Sequence, residues 1–174
     1  MKETSSKYQV HDCRQGDKAA YTMLVKEHYR SVFAVCLGML GNIHDAEDMA
    51  QETMLKGFRK IKNLGGSDKF EAWILRIAKN LCIDFLRRKK RAREIITEQI
   101  MEAKTGTSEN HVLQQAIRRL PQELRLPLTM YYFEQKNAKI IAEKLDISHS
   151  GVCQRLRQAR KMLHEILTER LKNE

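Results

Sequence analysis

Arginine, glutamine and serine side chains share one side of a predicted helix near the end of this 174-residue chain. Val152 and Leu156 mark the opposite, apolar side of that helix. The polar side carries Ser150, Gln154, Arg157, Gln158 and Lys161. Arginine matches guanine edges and glutamine matches adenine edges in the DNA major groove, while Arg155 and Arg160 on the flanks suit phosphates. The pattern predicts a helix that reads base pairs, with an ordinary amphipathic helix and a solvated basic side as the alternative.

The residues before this helix predict the element that would place it in a groove. Asn137 is positioned to cap a short helix over Ala138–Leu145, and Ser148 caps the last helix after a tight turn over residues 146–148. A short helix, a three-residue turn and a longer helix have the proportions of a helix-turn-helix. In that motif the second helix enters the major groove with its polar side toward the bases.

A second polar surface is predicted on a helix over about residues 45–61. Its apolar and small residues share one face: Ala46, Ala50, Thr53, Met54, Gly57 and Ile61. Asp45, Asp48 and Glu52 fall on the opposite face, beside Gln51 and Leu55. Carboxylates near a helix amino terminus offset the helix dipole, which explains Asp45 and Asp48 without any partner. Because Glu52 lies too far into the helix for that explanation, we interpret this acidic face as a docking surface for a basic protein.

A third helix carries a polar strip formed by Arg76, Asn80 and Arg87, and the polar loop 63–67 precedes it. Its core side is predicted to hold Phe70, Trp73, Ile74, Ile77, Leu81 and Phe85. The helix ends in a run of six cations within residues 87–93, which includes Arg88. A cationic strip, an asparagine and a polar loop suit an unstacked nucleotide strand. The alternative is a solvated basic helix, although cations this dense favour phosphates nearby.

Apolar periodicity divides the chain into two small helical domains, residues 1–93 and 111–174, joined by a flexible linker over residues 94–110. The first domain opens with Asp17 as the predicted cap of a long helix. We expect Gly38 to loosen this helix and Gly41 to stop it. The apolar stripe of that helix is Val25, Tyr29, Val32, Cys36 and Met39. The second domain is predicted to open with a face of Leu113, Ala116, Ile117 and Leu120, before Pro121 starts a new helix.

Composition indicates an all-α protein that binds a polyanion, because 32 Lys and Arg against 22 Asp and Glu give a formal charge of +10. No apolar run is long enough to span a membrane, and the polar first twelve residues do not resemble a secretory signal, so we expect a cytoplasmic protein. The four cysteines lie far apart without a C-x-x-C pair. We therefore predict no disulfide framework, no metal or other cofactor, and no catalytic residues.

Four ordered segments resemble a bacterial sigma-70-family factor of the extracytoplasmic-function (ECF) group. They are DAEDMAQETMLKGF (45–58), FEAWILRIAKNLCIDFLRRKKR (70–91), RRLPQELRLPLTMYYF (118–133) and IIAEKLDISHSGVCQRLRQARKML (140–163). The resemblance implies that Asp45, Asp48, Gln51, Glu52 and Leu55 dock on the clamp helices of the RNA polymerase β′ subunit. It also implies that the loop 63–69 and the following helix capture flipped bases of the −10 promoter element, with Asn80 at the base-contacting position of an R-I-A-x-N motif.

The resemblance makes the last helix the reader of the −35 element, with Cys153 among its base-facing positions. Pattern and resemblance together assign −10 DNA binding to Asn63, Ser67, Lys69, Arg76, Asn80, Arg87 and Arg88. They assign −35 DNA binding to Ser148, Ser150, Cys153, Gln154, Arg155, Arg157, Gln158, Arg160 and Lys161. The chain departs from the family pattern where Gly151 replaces threonine, Cys153 replaces a basic residue and Gln135 replaces a glycine before the helix-turn-helix.

These observations predict a promoter-specificity subunit and not an enzyme. The expected partners are the RNA polymerase core through its β′ clamp helices and β subunit, promoter DNA, and an anti-sigma factor of the membrane-associated kind, with no small-molecule substrate. A stand-alone helix-turn-helix regulator that binds DNA as a dimer is one alternative, and an interaction-only sigma paralogue is another. An enzyme acting on nucleic acid is the third, but the sequence offers it no metal cluster and no nucleophile with a base.

Overall fold

The computed structural model describes residues 10–64, 70–95 and 109–171, and this part of the chain is helical without strands. After a short helical turn at residues 10–14, the long helices follow one another with few connecting residues. In chain order they are α1 (Lys18–Leu40), α2 (Ile43–Lys60), α3 (Phe70–Ile95), α4 (Glu109–Arg119), α5 (Gln122–Glu134), α6 (Ala138–Leu145) and α7 (His149–Leu171). A 3₁₀ turn (Ile61–Asn63) follows α2. The all-α prediction is confirmed, and no described helix is long and apolar enough to cross a membrane.

Helix α1 begins and ends at the predicted residues. The Asp17 carboxylate accepts hydrogen bonds from the backbone N–H groups of Ala19 and Ala20, at 2.7 and 3.2 Å. Gly41 ends the helix in the left-handed region at φ 70°, which glycine adopts without steric cost. The expectation that Gly38 loosens the helix is wrong. Gly38 lies inside α1, and a Cβ there would come within 2.6 Å of the Leu126 Cδ1 on α5.

Helix α2 begins two residues earlier than predicted because Asn42 caps it. The Asn42 side-chain oxygen accepts from the backbone N–H of Asp45 at 3.0 Å. All six residues of the predicted apolar face are buried, with Ala46, Ala50 and Thr53 fully inaccessible to solvent. Helices α1, α2 and α3 pack together through this face and form the core of the first domain.

Helix α3 covers that core with Phe70, Ile74, Ala78 and Cys82. The predicted core residues Trp73, Ile77 and Phe85 are only half-buried, because they lie toward the edge of the apolar side. Cysteines that lie far apart in the sequence share this core, since Cys36 of α1 and Cys82 are both fully buried in it.

The second domain has its own core, centred on Met130, Ile141, Val152, Leu156 and Ala159 from α5, α6 and α7. One predicted member of the α4 face is misplaced. Leu113 is 46% exposed, whereas Ala116 and Leu120 are buried as expected, because Leu113 lies in the first half of α4, before the packed part of the helix. Pro121 stands just before α5, at its capping position.

The two cores meet where α5 lies along α1, and Leu126 packs against both of them. The buried Arg125 guanidinium donates to the Gly38 and Met39 carbonyls of α1, from Nε at 2.8 Å and from Nη2 at 3.0 Å. The Thr129 hydroxyl donates to the Ala34 carbonyl at 2.9 Å. The two domains are therefore joined by direct, specific contacts between these helices.

Candidate functional site

The helix-turn-helix is built by local hydrogen bonds at both of its turns. The Asn137 side chain accepts from the Ile140 N–H at 3.0 Å, which starts α6 at the predicted residue. Asp146 then takes a left-handed conformation at φ 55°, and its N–H donates to Ala142. The Ser148 hydroxyl accepts from the Gly151 N–H at 3.0 Å and caps α7. These caps set the direction in which α7 leaves the turn.

Helix α7 buries its apolar stripe and exposes its polar side, as its spacing predicts. Val152 and Ala159 have no exposed surface, and Leu156 is 4% exposed. The residues open to solvent are Ser148, Ser150, Gln154, Arg157, Gln158, Arg160 and Lys161. Arg155 and Cys153 are half-buried, because they lie at the edges of the polar side. Donors and acceptors thus stand along a single exposed face of a helix in helix-turn-helix geometry, which is the arrangement that base reading requires.

Four predicted members of this face make contacts within α7 and its cap. The hydroxyls of Ser148 and Ser150 lie 3.1 Å apart, and Ser148 also serves as the cap. The Cys153 sulfur lies 3.8 Å from the His149 Nε2, one turn earlier in the helix. Lys161 makes a loose 3.9 Å ion pair with Glu165, one turn later in the same helix.

A tyrosine pair positions Arg160, and the sequence analysis missed it. The Arg160 Nε donates to the Tyr132 hydroxyl at 3.2 Å, and the guanidinium lies over the rings of Tyr131 and Tyr132 at 5.3 and 5.8 Å. Together with Lys136, these side chains line an open groove of about 880 Å³ beside α7. The signal in the sequence was the two adjacent tyrosines just before the helix-turn-helix. The groove places two cations next to the exposed face, where a nucleic-acid backbone would pass.

The predicted acidic face of α2 is only partly free. Asp48, Gln51 and Leu55 are exposed, and Leu55 is 53% exposed despite being apolar. Asp45 is drawn into a 2.8 Å ion pair with Lys89 on α3, so its carboxylate is not available as an isolated docking charge. Glu52 is half-buried. The accessible surface is therefore centred on Asp48, Gln51 and Leu55.

An apolar groove of about 460 Å³ borders this surface and was not predicted. Residues of α1 and α2 line it, including Tyr21, Val25, Tyr29, Leu55 and Phe58. Burial raises the pKa of Tyr21 above its ordinary 10, and its hydroxyl donates to the Met54 carbonyl at 2.6 Å. An exposed apolar groove beside a carboxylate suits a protein helix that carries both apolar and basic side chains.

The polar strip of α3 faces solvent as predicted. Arg76, Asn80, Arg87 and Arg88 are exposed, and Arg87 makes a loose 3.8 Å ion pair with Asp84. Asn63 is exposed at the end of the 3₁₀ turn. The predicted loop residues Ser67 and Lys69 lie outside the described residues.

Nothing in the described ranges assembles a metal site, since no three metal-binding side chains come together there. Cys13, Cys36 and Cys82 are buried, which leaves Cys153 as the accessible thiol among the four. Burial also raises the pKa of Cys13 to about 11, so this thiol is protonated at neutral pH.

Comparison with known families matches both domains of the chain in order. Residues 24–92 match the family described as Sigma-70 region 2, and residues 110–163 match the family described as Sigma-70, region 4. The first match contains α2 and most of α1 and α3, and the second contains the helix-turn-helix. The two matches together cover most of the chain.

Individual relatives agree with these families. The chain is 27% identical to the ECF RNA polymerase sigma factor SigW of Bacillus subtilis, over 96% of this chain and 99% of SigW. It is 32% identical to the RNA polymerase sigma factor SigZ of the same species, over 70% of this chain and 72% of SigZ. Its fold is similar to that of the sigma factor RpoE in a structure with the anti-sigma factor NepR from Bartonella quintana. That match has a TM-score of 0.59 and 18% identity, and it covers 85% of this chain and 96% of RpoE.

Proposed function

This chain belongs to the sigma-70 family of RNA polymerase sigma factors, and we propose from its surfaces how it binds polymerase and chooses promoters. The observation that carries the proposal is the exposed polar face of α7, held in helix-turn-helix geometry by the caps at Asn137 and Ser148. We propose that this face reads the −35 element in the major groove. Arg157, Gln154 and Gln158 would contact base edges, because they are exposed and point away from the core.

Backbone contacts are assigned to the groove beside α7. Arg160 is held in place by Tyr132, so it loses little side-chain freedom when it meets a phosphate. Lys136 lines the same groove and adds a second cation. Arg155, at the edge of the face, is the third candidate for a phosphate contact.

The −10 element is assigned to α3 of the first domain. Asn80 is exposed between Arg76 and Arg87, so a displaced strand could place a base against the amide while the guanidinium groups hold its phosphates. Arg88 extends the cationic strip, and Asn63 stands at the end of the 3₁₀ turn after α2. Ser67 and Lys69 remain part of this proposed site from the sequence alone.

Polymerase docking is assigned to Asp48, Gln51 and Leu55 on α2, together with the apolar groove that Leu55 borders. The β′ clamp helices are the proposed partner in this contact. Glu52 stays in the proposed docking surface, at its edge, because its side chain is half-buried. Asp45 instead has a structural role, because its carboxylate pairs with Lys89.

The remaining assignments follow from membership in the family. The sigma-70 family is not known for enzymes, and we assign no catalytic step to the chain. A factor of this kind works where polymerase and chromosome are, so we place it in the cytoplasm. We also propose an anti-sigma factor as a partner, since the similar RpoE was determined in complex with one.

The test is transcription in vitro from a library of templates with randomised −35 and −10 positions. Core polymerase with this protein should enrich a defined pair of sequence elements, and neither component alone should produce specific transcripts. Specific binding to duplex DNA by the protein alone, with no effect of polymerase on transcript selection, would favour a stand-alone helix-turn-helix regulator. The Asn80→Ala variant is the matched control: it should lose promoter opening and therefore transcripts, whereas the templates bound by its complex with core polymerase should still be enriched in the same −35 sequences.

A further inference from the structure

One cation among residues 87–91 of α3 faces the first domain and not the solvent. The exposed cations of this stretch are Arg87, Arg88, Lys90 and Arg91. Lys89 is half-buried. With about 100° of rotation per residue, Lys89 lies about 180° around the helix from Asn80. It therefore continues the side of α3 on which Ala78 and Cys82 are buried, and a strand that follows the polar strip would not meet it.

The partner of Lys89 comes from the proposed docking helix. The Lys89 ammonium donates to the Asp45 Oδ2 at 2.8 Å and lies 5.4 Å from the centre of the Phe85 ring. The Asp45 side chain is 25% exposed and that of Lys89 is 41% exposed, so water screens this pair less than a fully exposed one. Asp45 lies about 60° around α2 from Asp48. The pair thus joins the two helices to which polymerase docking and strand capture are assigned.

The end of α3 carries a dense positive charge that works against the helix. Arg91 lies four residues after Arg87 and three after Arg88, and like charges at these spacings destabilise a helix. The helix dipole favours cations only in the last turn, which begins beyond Arg91. Asp45 brings a negative charge to this stretch from another helix, and it holds Lys89 against Phe85. We expect these contacts to keep the end of α3 helical and packed on the first domain.

The conformation of this end matters for the proposed −10 site. Arg87 shares a face with Arg76 and Asn80 only while the helix continues past Asp84, because helical spacing alone brings these residues to one side. About 15 Å of helix follows Phe85 before α3 ends. If this end unwinds, Arg87 moves away from Asn80, and the amide loses the neighbouring cation that would hold a phosphate.

We propose that Asp45 and Lys89 are positioning residues for promoter opening, because their ion pair holds the end of α3 so that Asn80 and Arg87 form one continuous surface for the displaced strand. This role rests on the proposed function, since it takes the −10 strand to lie along α3. Neither member of the pair contacts DNA or polymerase itself. Asp45 acts through Lys89, and Lys89 acts through the helix that carries Arg87.

One substitution separates this role from two simpler ones. Asp45→Asn keeps the size of the side chain, removes one negative charge and takes the carboxylate away from Lys89. If Lys89 simply bound a phosphate, the released cation would strengthen DNA binding and promoter opening. If Asp45 docked on polymerase, the variant would bind the core more weakly. A positioning role predicts weaker opening at unchanged core binding, although the protein becomes more positive.

The first experiment measures promoter opening by the full-length protein with core polymerase, from the permanganate reactivity of unpaired thymines at the −10 element. At saturating protein, Asp45→Asn and Lys89→Met should each lower the opened fraction at least fivefold, while affinity for core polymerase stays within twofold of wild type. The charge-swapped variant, Asp45→Lys with Lys89→Glu, should recover at least half of the wild-type opening.

Three results of this experiment overturn the positioning role. They are unchanged or increased opening in Asp45→Asn, core binding that falls in parallel with opening, and a charge-swapped variant that opens the promoter no better than either single variant.

Asp84→Asn is the matched control, because it makes the same charge change on α3 itself. Asp84 forms a 3.8 Å pair with Arg87, and the two side chains are 60% and 70% exposed, so this pair holds the helix only weakly. The variant should open the promoter at least as well as wild type. Equal losses of opening in Asp84→Asn and Asp45→Asn would assign the effect to net charge and contradict a positioning role.

Amide hydrogen exchange of the free protein tests the structural step without polymerase or DNA. In Asp45→Asn and Lys89→Met, peptides that span residues 86–92 should exchange at least threefold faster, and peptides from α1 should be unchanged. Unchanged exchange at the end of α3 in both variants overturns the positioning role. If exchange responds as expected but the wild type neither binds core polymerase nor opens a promoter, the proposed function fails, and the ion pair keeps its role in ordering α3.

Discussion

At the scale of single residues, the turn before the helix-turn-helix holds a residue in a conformation that its side chain disfavours. Gln135 ends α5 in the left-handed region at φ 53°. Asp146, which ends α6 at φ 55°, is better suited to this region because aspartate is among the few residue types that adopt it readily. Glutamine has no such advantage. The sequence analysis noted Gln135 in place of a family glycine, and the backbone keeps the conformation that glycine would favour.

Replacement of Gln135 by glycine should stabilise the protein. Relief of the left-handed conformation should raise the free energy of unfolding by about 1 kcal/mol. The measurement is urea unfolding followed by circular dichroism. Lys139→Gly, at an exposed position inside α6, is the matched control and should lower the free energy of unfolding by about 1 kcal/mol. A decrease for both variants would show that the Gln135 side chain stabilises the turn.

Arg157 and Arg160 should differ in what they contribute to DNA binding. Arg157→Ala should cost about 1–3 kcal/mol on the preferred −35 sequence and relax preference at one base pair, because it removes a base contact. Arg160→Ala should weaken binding to all DNA sequences about equally, because it removes a phosphate contact. The slope of log K against log salt concentration should become smaller by about 0.9. Binding to a panel of −35 variants at several salt concentrations measures both effects. If Arg160→Ala changes base preference and Arg157→Ala weakens all sequences equally, then α7 contacts the bases with a different face from the one we assign.

At the scale of elements, two aspartates of α2 have different roles, since Asp45 is structural and Asp48 is the proposed docking residue. Asp45 holds α3 through Lys89, whereas Asp48 is exposed one turn away, near the apolar groove. An exposed carboxylate beside an apolar groove contributes to a protein interface only when a partner desolvates it.

Asp48→Lys should weaken core polymerase binding at least tenfold without loss of helix content. Leu55→Ala should weaken it by about 1–2 kcal/mol, because the exposed side chain contributes to the interface and not to the core. Pull-down and titration with core polymerase measure both variants. Glu47→Lys makes the same charge change at an exposed residue about 100° around the helix, and it should bind nearly as wild type. Equal losses in Asp48→Lys and Glu47→Lys would point to net charge alone as the cause.

Local elements could be predicted from the sequence because their causes are local. The caps at Asp17, Asn137 and Ser148 lie within three residues of the groups they bind, and the helical faces follow from spacing alone. Contacts between distant residues could not be predicted in this way. Arg125 and Gly38 are 87 residues apart, and Lys89 and Asp45 are 44 apart. The assignments of DNA and polymerase contacts remain predictions, since they concern molecules outside the chain.

At the scale of the whole molecule, stability should fall on acidification from two groups at the domain interface. Burial lowers the pKa of His28 below 6.5, and Glu27, Glu71, Lys144 and Lys136 also act on it. His28 is therefore neutral in the fold and charged in the unfolded chain below that pH, so folding is disfavoured as the pH drops. Burial disfavours the Glu71 carboxylate, but Lys144 more than compensates and keeps the pKa of Glu71 below 4.5.

The free energy of unfolding should thus be nearly constant well above pH 6.5, where His28 is neutral and Glu71 is ionised in both the folded and the unfolded chain. It should decrease below pH 6.5 as unfolded His28 takes up its proton, by at most about 1.4 kcal/mol per pH unit for one group. A further decrease should begin below pH 4.5, when Glu71 loses its pairing with Lys144. Urea titrations from pH 8 to pH 4 measure the curve, and His28→Gln should flatten its part between pH 6.5 and 5. If the free energy of unfolding of His28→Gln falls equally steeply over this pH range, groups other than His28 cause the decrease.

The chemistry of the Arg125 contacts has a consequence for the exchange of domains between related factors. Arg125 binds backbone carbonyls in the last turn of α1, and any amino-acid sequence that ends the helix at the same residue presents the same carbonyls. A hybrid that joins the second domain of this chain to the first domain of a relative would keep these acceptors whatever side chains the relative carries. Compatibility would then depend on two glycines, because a side chain at position 38 would meet Leu126 and Thr129, and a side chain at position 41 would meet the Arg125 guanidinium. Divergence of the first domain must therefore preserve these two glycines, together with the side chains of Ser31, Phe33 and Glu71 that contact the second domain.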